Sequence, residues 1–211
     1  MDVIKVENAT KKFGSNRVLN QVYMSFEKGK ITGIVGRNGS GKTVLFKCIC
    51  GFYCLDSGDI IYDNNKLKNG QILDEAGIII ENPAFLEKYN GLKNLELLYC
   101  INNKVDKAYL AGVMKSVGLE PKSRKKVSKY SMGMKQRLAI AQATMENKDI
   151  LILDEPMNGL DAEGVDYFRR YFQELKENGK TLILASHNKD DISMLCDKVY
   201  TMENGEVVSM S

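Results

Sequence analysis

Apolar and polar positions alternate in short runs near both ends of the chain and fall at helical spacing in its middle. Val3-Ile4-Lys5-Val6 and Tyr23-Met24-Ser25-Phe26 have the period of two expected of strands, and Glu27-Lys28-Gly29-Lys30 after them reads as a hairpin turn. Ile31-Thr32-Gly33-Ile34-Val35 is an apolar run that feeds a glycine-rich loop and then a helix over 42–50. Residues 57–62 read as another strand, and 76–80 as a buried one. From Pro83 to about Asn147 the spacing turns helical, in 94–99 and in 107–117, with Gly118 as a stop. Strand-like runs return at 150–153 and 181–184, and the helical pattern 166–178 between them is closed by Gly179. Two apolar strands joined by a helix predict a parallel crossover. The last two strands, 198–202 and 206–208, flank a turn at Asn204-Gly205. The pattern predicts one α/β domain over 1–211, with a helical lobe inserted at about 83–147.

Composition changes this picture little. With 44% hydrophobic residues in 211, the chain can bury one core. The net charge of +3 is too balanced for the strongly basic face of a nucleic-acid binder, so no nucleic-acid partner is expected. The one basic excess, Lys122-Ser123-Arg124-Lys125-Lys126, reads as a solvated loop. No stretch approaches the roughly 18 apolar residues of a membrane helix, and the N-terminus has no signal-peptide core. The expected location is cytoplasmic, at a membrane only through a partner. Five scattered cysteines read as reduced thiols; Cys48 and Cys50, two apart on a helix, do not share a face and predict no metal site.

The chemistry begins at Gly36-Arg37-Asn38-Gly39-Ser40-Gly41-Lys42-Thr43, a complete P-loop pattern between a predicted strand and a predicted helix. Glycines let the backbone curl so that N–H groups meet phosphate oxygens, and the helix adds its positive end. Lys42 supplies charge to the β- and γ-phosphates, and the Thr43 hydroxyl can ligate Mg²⁺. A P-loop alone leaves kinases, GTPases and many ATPases open. Far downstream, Ile150-Leu151-Ile152-Leu153 ends in Asp154-Glu155. By itself that is an ordinary strand end. After a P-loop, Asp154 is placed to hold Mg²⁺ and Glu155 to polarise an attacking water.

Together with the residues around Ser131, these motifs resemble the ABC ATPase family over the whole chain. Phe13 falls where that family stacks an aromatic on adenine, and 36–43 is its Walker A. Tyr130-Ser131-Met132-Gly133-Met134 resembles the signature, Asp154-Glu155-Pro156 the Walker B, Asn158-Gly159-Leu160-Asp161 the D-loop, and His187, the only histidine, the switch histidine. The resemblance implies a P-loop NTPase fold: a RecA-like core, an antiparallel β lobe and the helical lobe. It implies ATP and Mg²⁺ as cofactors. Phe13, 36–43, Val44, Ser131, Gly133 and Asp161 would contact nucleotide. Thr43, Glu81 and Asp154 would hold the metal, and Glu155, His187 and Glu81 would take part in hydrolysis. It further implies a homodimer or paired ATPase domain closing on ATP, and a separate membrane permease.

The residues support parts of this directly. Ser131 is a suitable N-cap for the helix that follows, and a capped helix N-terminus with a hydroxyl can meet an anion, although an ordinary capped helix looks the same. Met134, Leu138, Ala141 and Met145 mark that helix's buried stripe. His187 follows a parallel strand, at the edge where such sheets bind ligands. Two departures narrow the resemblance. Met132 and Met134 replace a glycine and the glutamine of the signature, and Glu81 stands where a glutamine is usual. Glutamate there, with a Tyr-Ser-x-Gly-Met signature, is similar to ATPases of bacitracin-resistance and lantibiotic-immunity exporters, which usually continue beyond the last strand. Glu81 would add a negative charge beside the γ-phosphate, and Asn82-Pro83-Ala84-Phe85 would meet the permease. A non-transport ABC ATPase, for example in cofactor assembly, remains the alternative.

Overall fold

The computed structural model describes residues 1–81 and 84–211. Strands β1 (Asp2–Phe13) and β2 (Asn16–Glu27) form a long antiparallel hairpin, reversed where Gly14 adopts a φ of 60°. β4 (Ser57–Tyr62) lies along the other side of β1 and carries the short β5 (Asn65–Lys66) at its edge. The second sheet contains β3 (Ile31–Val35), β6 (Ala76–Ile79), β7 (Ile150–Asp154), β8 (Thr181–Ser186), β9 (Lys198–Glu203) and β10 (Glu206–Met210). Its order is β10-β9-β3-β8-β7-β6, parallel except for β10.

Side-chain alternation decides what packs on each face of this second sheet. Ile31, Val35, Leu151, Leu153, Leu182 and Leu184 join a core with helices α2 (Gly91–Tyr99), α3 (Lys107–Ser116), α4 (Met132–Thr144), α5 (Ala162–Glu177) and α6 (Lys189–Leu195). Ile34, Ile150, Ile152, Ile183 and Ala185 turn the other way, onto helix α1 (Lys42–Ile49) and the antiparallel sheet. Burial on both faces is why these strands read as uninterrupted apolar runs. Arg137 ties the helical insertion to α5: its guanidinium lies over Tyr167 and Phe168 and donates to the Val117 carbonyl at 2.9 Å.

Three expectations need correction. A turn does close at 27–30, with Lys30 N–H donating to the Glu27 carbonyl, but it joins no hairpin. β3 leaves for the centre of the parallel sheet because both its faces are apolar, whereas a partner for β2 would need one wet face. β1 runs well past Val6. A register shift with Asn8 at φ 52° flips the phase of burial, so alternation over the whole strand is broken in the sequence. α5 starts at Ala162 rather than Asp166, because Asp161 caps it by accepting from the Gly164 N–H.

Candidate active site

The P-loop joins β3 to α1 at the carboxyl end of the parallel sheet, where sheets of this kind bind ligands. Gly36 is obligatory by close approach, since a Cβ there would come within 2.4 Å of Ser40 Oγ and 2.5 Å of the Met202 carbonyl. Gly41, at φ 105°, begins α1 with no side-chain cap, leaving the first N–H groups of the helix for an anion. Lys42 is buried, its ammonium donating to the Gly36 carbonyl at 2.7 Å and to that of Arg37 at 3.3 Å. The buried Ser40 hydroxyl has no hydrogen-bond partner among the described residues, an orphan that suits a phosphate oxygen.

β7 delivers the carboxylates. Thr43 Oγ1 donates to Asp154 Oδ2 at 2.6 Å, and burial pushes the Asp154 pKa above the ordinary carboxylate range, partly offset by that bond. Glu155 follows at φ 49°, a left-handed conformation that costs a non-glycine residue about 1–3 kcal/mol. Its N–H donates to the Ala185 carbonyl at 2.9 Å, and its Oε2 accepts from Ser186 Oγ at 3.3 Å and lies 2.9 Å from His187 Nδ1. The end of β8 thus holds both backbone and carboxylate of Glu155.

A cleft of about 440 Å³ unites these groups. It is lined by Asn38–Val44 of the loop and helix, Val18, Glu81, Met132, Gln136, Asp154, Glu155 and Asn158. Thr43, Asp154 and Glu81 offer it only oxygen donors, a set that fits a hard cation such as Mg²⁺. Glu81 is ion-paired within the chain. Lys47, one turn beyond Thr43 on α1, holds its Oε1 at 2.6 Å, and that bond raises the lysine's pKa. Asn82 and Pro83, expected to meet the permease, lie outside the described residues; Ala84 is exposed and Phe85 half-buried.

Other expected site residues stand outside this cleft. Phe13 is 45% exposed and packs edge-on against Tyr53, with ring centroids 5.5 Å apart. Ser131 Oγ accepts from the Met134 N–H at 3.2 Å as the cap of α4, and Gly133 lies against Gly159 of the D-loop. Asp161, expected to contact nucleotide, spends its Oδ1 on the cap of α5. His187 is not at the cleft wall; it backs Glu155 from a second cavity of about 200 Å³. Sequence reasoning missed Gln136, Lys47 and Ser186, and named Asn158 only as part of the D-loop resemblance. Lys47 had a signal, being four residues after Thr43 on one helix face. The others are brought in only by tertiary packing.

A P-loop and an adjacent acidic strand end at one edge of a parallel sheet, with an antiparallel lobe and a helical insertion, define a P-loop nucleoside-triphosphatase domain. The model of the ABC transporter family matches residues 19–158, and the chain belongs to that family, as an ATP-binding and ATP-hydrolysing subunit. It is 40% identical over 206 residues to the uncharacterized ABC transporter ATP-binding protein YybJ of Bacillus subtilis (strain 168), covering 97% of this chain and 94% of the relative. Over 209 residues it is 38% identical to the bacitracin transport ATP-binding protein BcrA of Enterococcus faecalis, covering 98% of this chain and 68% of the relative. The crystal structure of MJ1267 in its ADP conformation, an ATP-binding cassette of an ABC transporter, superposes with a TM-score of 0.88 at 26% identity, covering 100% of this chain and 91% of that one.

Proposed function

We propose that this chain powers the export of a peptide antibiotic or similar amphiphile through a separate membrane permease, at whose cytoplasmic face it docks. The bacitracin transport named for one relative supports the substrate class. The observation that carries the catalytic reading is the Glu155 carboxylate, at the wall of the P-loop cleft and 2.9 Å from His187.

The curl of 36–44 would hold the phosphates of ATP, and Lys42, whose ammonium donates to the loop carbonyls, would supply charge to the β- and γ-phosphates. Thr43, Asp154 and Glu81 would hold Mg²⁺, which supplies positive charge to the phosphate oxygens. Glu155 takes a proton from the attacking water as its oxygen bonds to the γ-phosphorus, and the bond to the bridging oxygen breaks to release ADP. His187 orients the Glu155 carboxylate and senses the γ-phosphate. Ser131 and Gly133 serve the nucleotide of a second copy, Phe13 stacks on adenine, and Asp161 contacts nucleotide. The segment 82–85 meets the permease.

Two variants test the site. Lys42→Ala is expected to abolish most triphosphate binding in a calorimetric titration, since a charge-assisted contact worth roughly 1.5–3 kcal/mol is lost; undiminished affinity would refute its role. Glu155→Gln is expected to bind ATP normally yet slow single-turnover hydrolysis by about 10²–10⁴. An unchanged rate would remove Glu155 as the base.

A further inference from the structure

Glu155 occupies a backbone position that its own sequence disfavours. It is left-handed at φ 49°, and the residue before a proline is normally pushed to extended conformations. Pro156 follows it directly. Such a residue persists only where its surroundings over-determine it. On one side β8 supplies the restraint through Ala185, Ser186 and His187. On the other side stands Gln136, in the second turn of α4. Its Nε2 donates to the Pro156 carbonyl at 2.8 Å and to the Glu155 carbonyl at 3.3 Å. Those two carbonyls fix the peptide planes that follow Glu155, and so the direction in which its side chain leaves the backbone. Gln136 and Glu155 line the same cleft.

We infer that Gln136 is a positioning residue for ATP hydrolysis, fixing the left-handed backbone at Glu155 so that the carboxylate meets the attacking water. The inference rests on Glu155 being the general base. Nothing in the geometry requires Gln136 to touch the nucleotide. Because α4 begins at the Ser131 cap, the same helix joins the signature segment to the base.

The test is a double-mutant cycle on the whole chain, read as single-turnover hydrolysis of Mg²⁺-ATP and, separately, as ATP affinity. Gln136→Met keeps the length of the side chain and removes its donor. It is expected to slow hydrolysis about tenfold, the order of one or two lost hydrogen bonds, while ATP affinity stays within about twofold. Gln136→Glu, equally long and also without a donor, is expected to behave alike and guards against a packing defect peculiar to methionine. In the Glu155→Gln background Gln136→Met should cost less than about twofold more, because the base it positions is gone. An unchanged rate in both single variants overturns the inference. So does a rate loss matched by an equal loss of ATP affinity, or the full tenfold loss in the Glu155→Gln background. If Glu155→Gln itself hydrolyses at the parent rate, the base assignment falls and this inference with it; if that variant is slowed as expected, these failures count against Gln136 alone.

Discussion

Burial raises the pKa of Asp154 and the nearby Glu155 and Glu81 carboxylates add to the shift, which the Thr43 hydrogen bond and the Lys42 charge offset only in part. The carboxylate is therefore kept at some cost to the nucleotide-free fold, a common condition of sites that await a cation. Asp154→Asn still accepts from Thr43 and removes the buried charge. It is expected to stabilise the nucleotide-free chain by about 1 kcal/mol in urea unfolding at neutral pH, while Mg²⁺-dependent hydrolysis is lost. Equal or lower stability would contradict this account of the burial. Lys47 has the complementary role of compensating Glu81. Lys47→Ala exposes that carboxylate to the phosphates, so Mg²⁺-free ATP binding should weaken by several-fold more than Mg²⁺-ATP binding, as calorimetry with and without EDTA would show. The P-loop and the acidic pair were legible because each demands particular residue types at fixed spacing. Gln136 and Ser186 were not, since a glutamine or a serine carries no signal until folding brings it to Glu155.

At the scale of elements, Asp197 holds the start of β3 against the end of α5. Its Oδ2 accepts from the Ile31 N–H at 2.8 Å, its own N–H donates to the Ile31 carbonyl at 2.8 Å, and Lys176 and Lys30 lie at 3.2 and 3.8 Å. Burial pushes its pKa up, but the Ile31 N–H and the two lysines outweigh it and the net shift is downward. A depressed carboxylate contributes stability that is complete above its ordinary value of 3.8 and is lost as pH falls below that through the folded pKa. Asp197→Asn should therefore lower stability at neutral pH by about 0.5–1 kcal/mol, since solvent screens so exposed a carboxylate, and flatten the loss between the parent's stability at neutral pH and in acid. Chemical unfolding across that range checks both; parallel curves would contradict the assignment. The apolar strands 150–153 and 181–184 were readable from sequence because burial on both faces leaves no polar alternation to interpret. β1 was only half readable, since the irregularity at Asn8 shifts the phase within one strand. The turn at 27–30 misled because a turn does not say which sheet the next strand joins.

Across the whole molecule, the cleft and the signature cap are separate features of one chain. Met132 and Gln136 of α4 reach the cleft wall, but the Ser131 hydroxyl and Gly133 do not line it. Under the proposed function this hydroxyl at a helix N-terminus, outside its own cleft, would meet the γ-phosphate of a second copy, and two-fold symmetry would then make two composite sites. The antiparallel sheet and the helical insertion pack on opposite faces of the parallel sheet, so the P-loop and the signature segment are carried by different parts of one framework. Among the described residues no helix is long and apolar enough to cross a membrane. The most direct measurement is the mass of the Glu155→Gln chain by light scattering in Mg²⁺-ATP. The account predicts a shift from monomer to dimer that depends on ATP and disappears in the Glu155→Gln, Ser131→Arg double variant. A chain that stays monomeric at saturating ATP, or a dimer that forms equally well with Ser131→Arg, would contradict it.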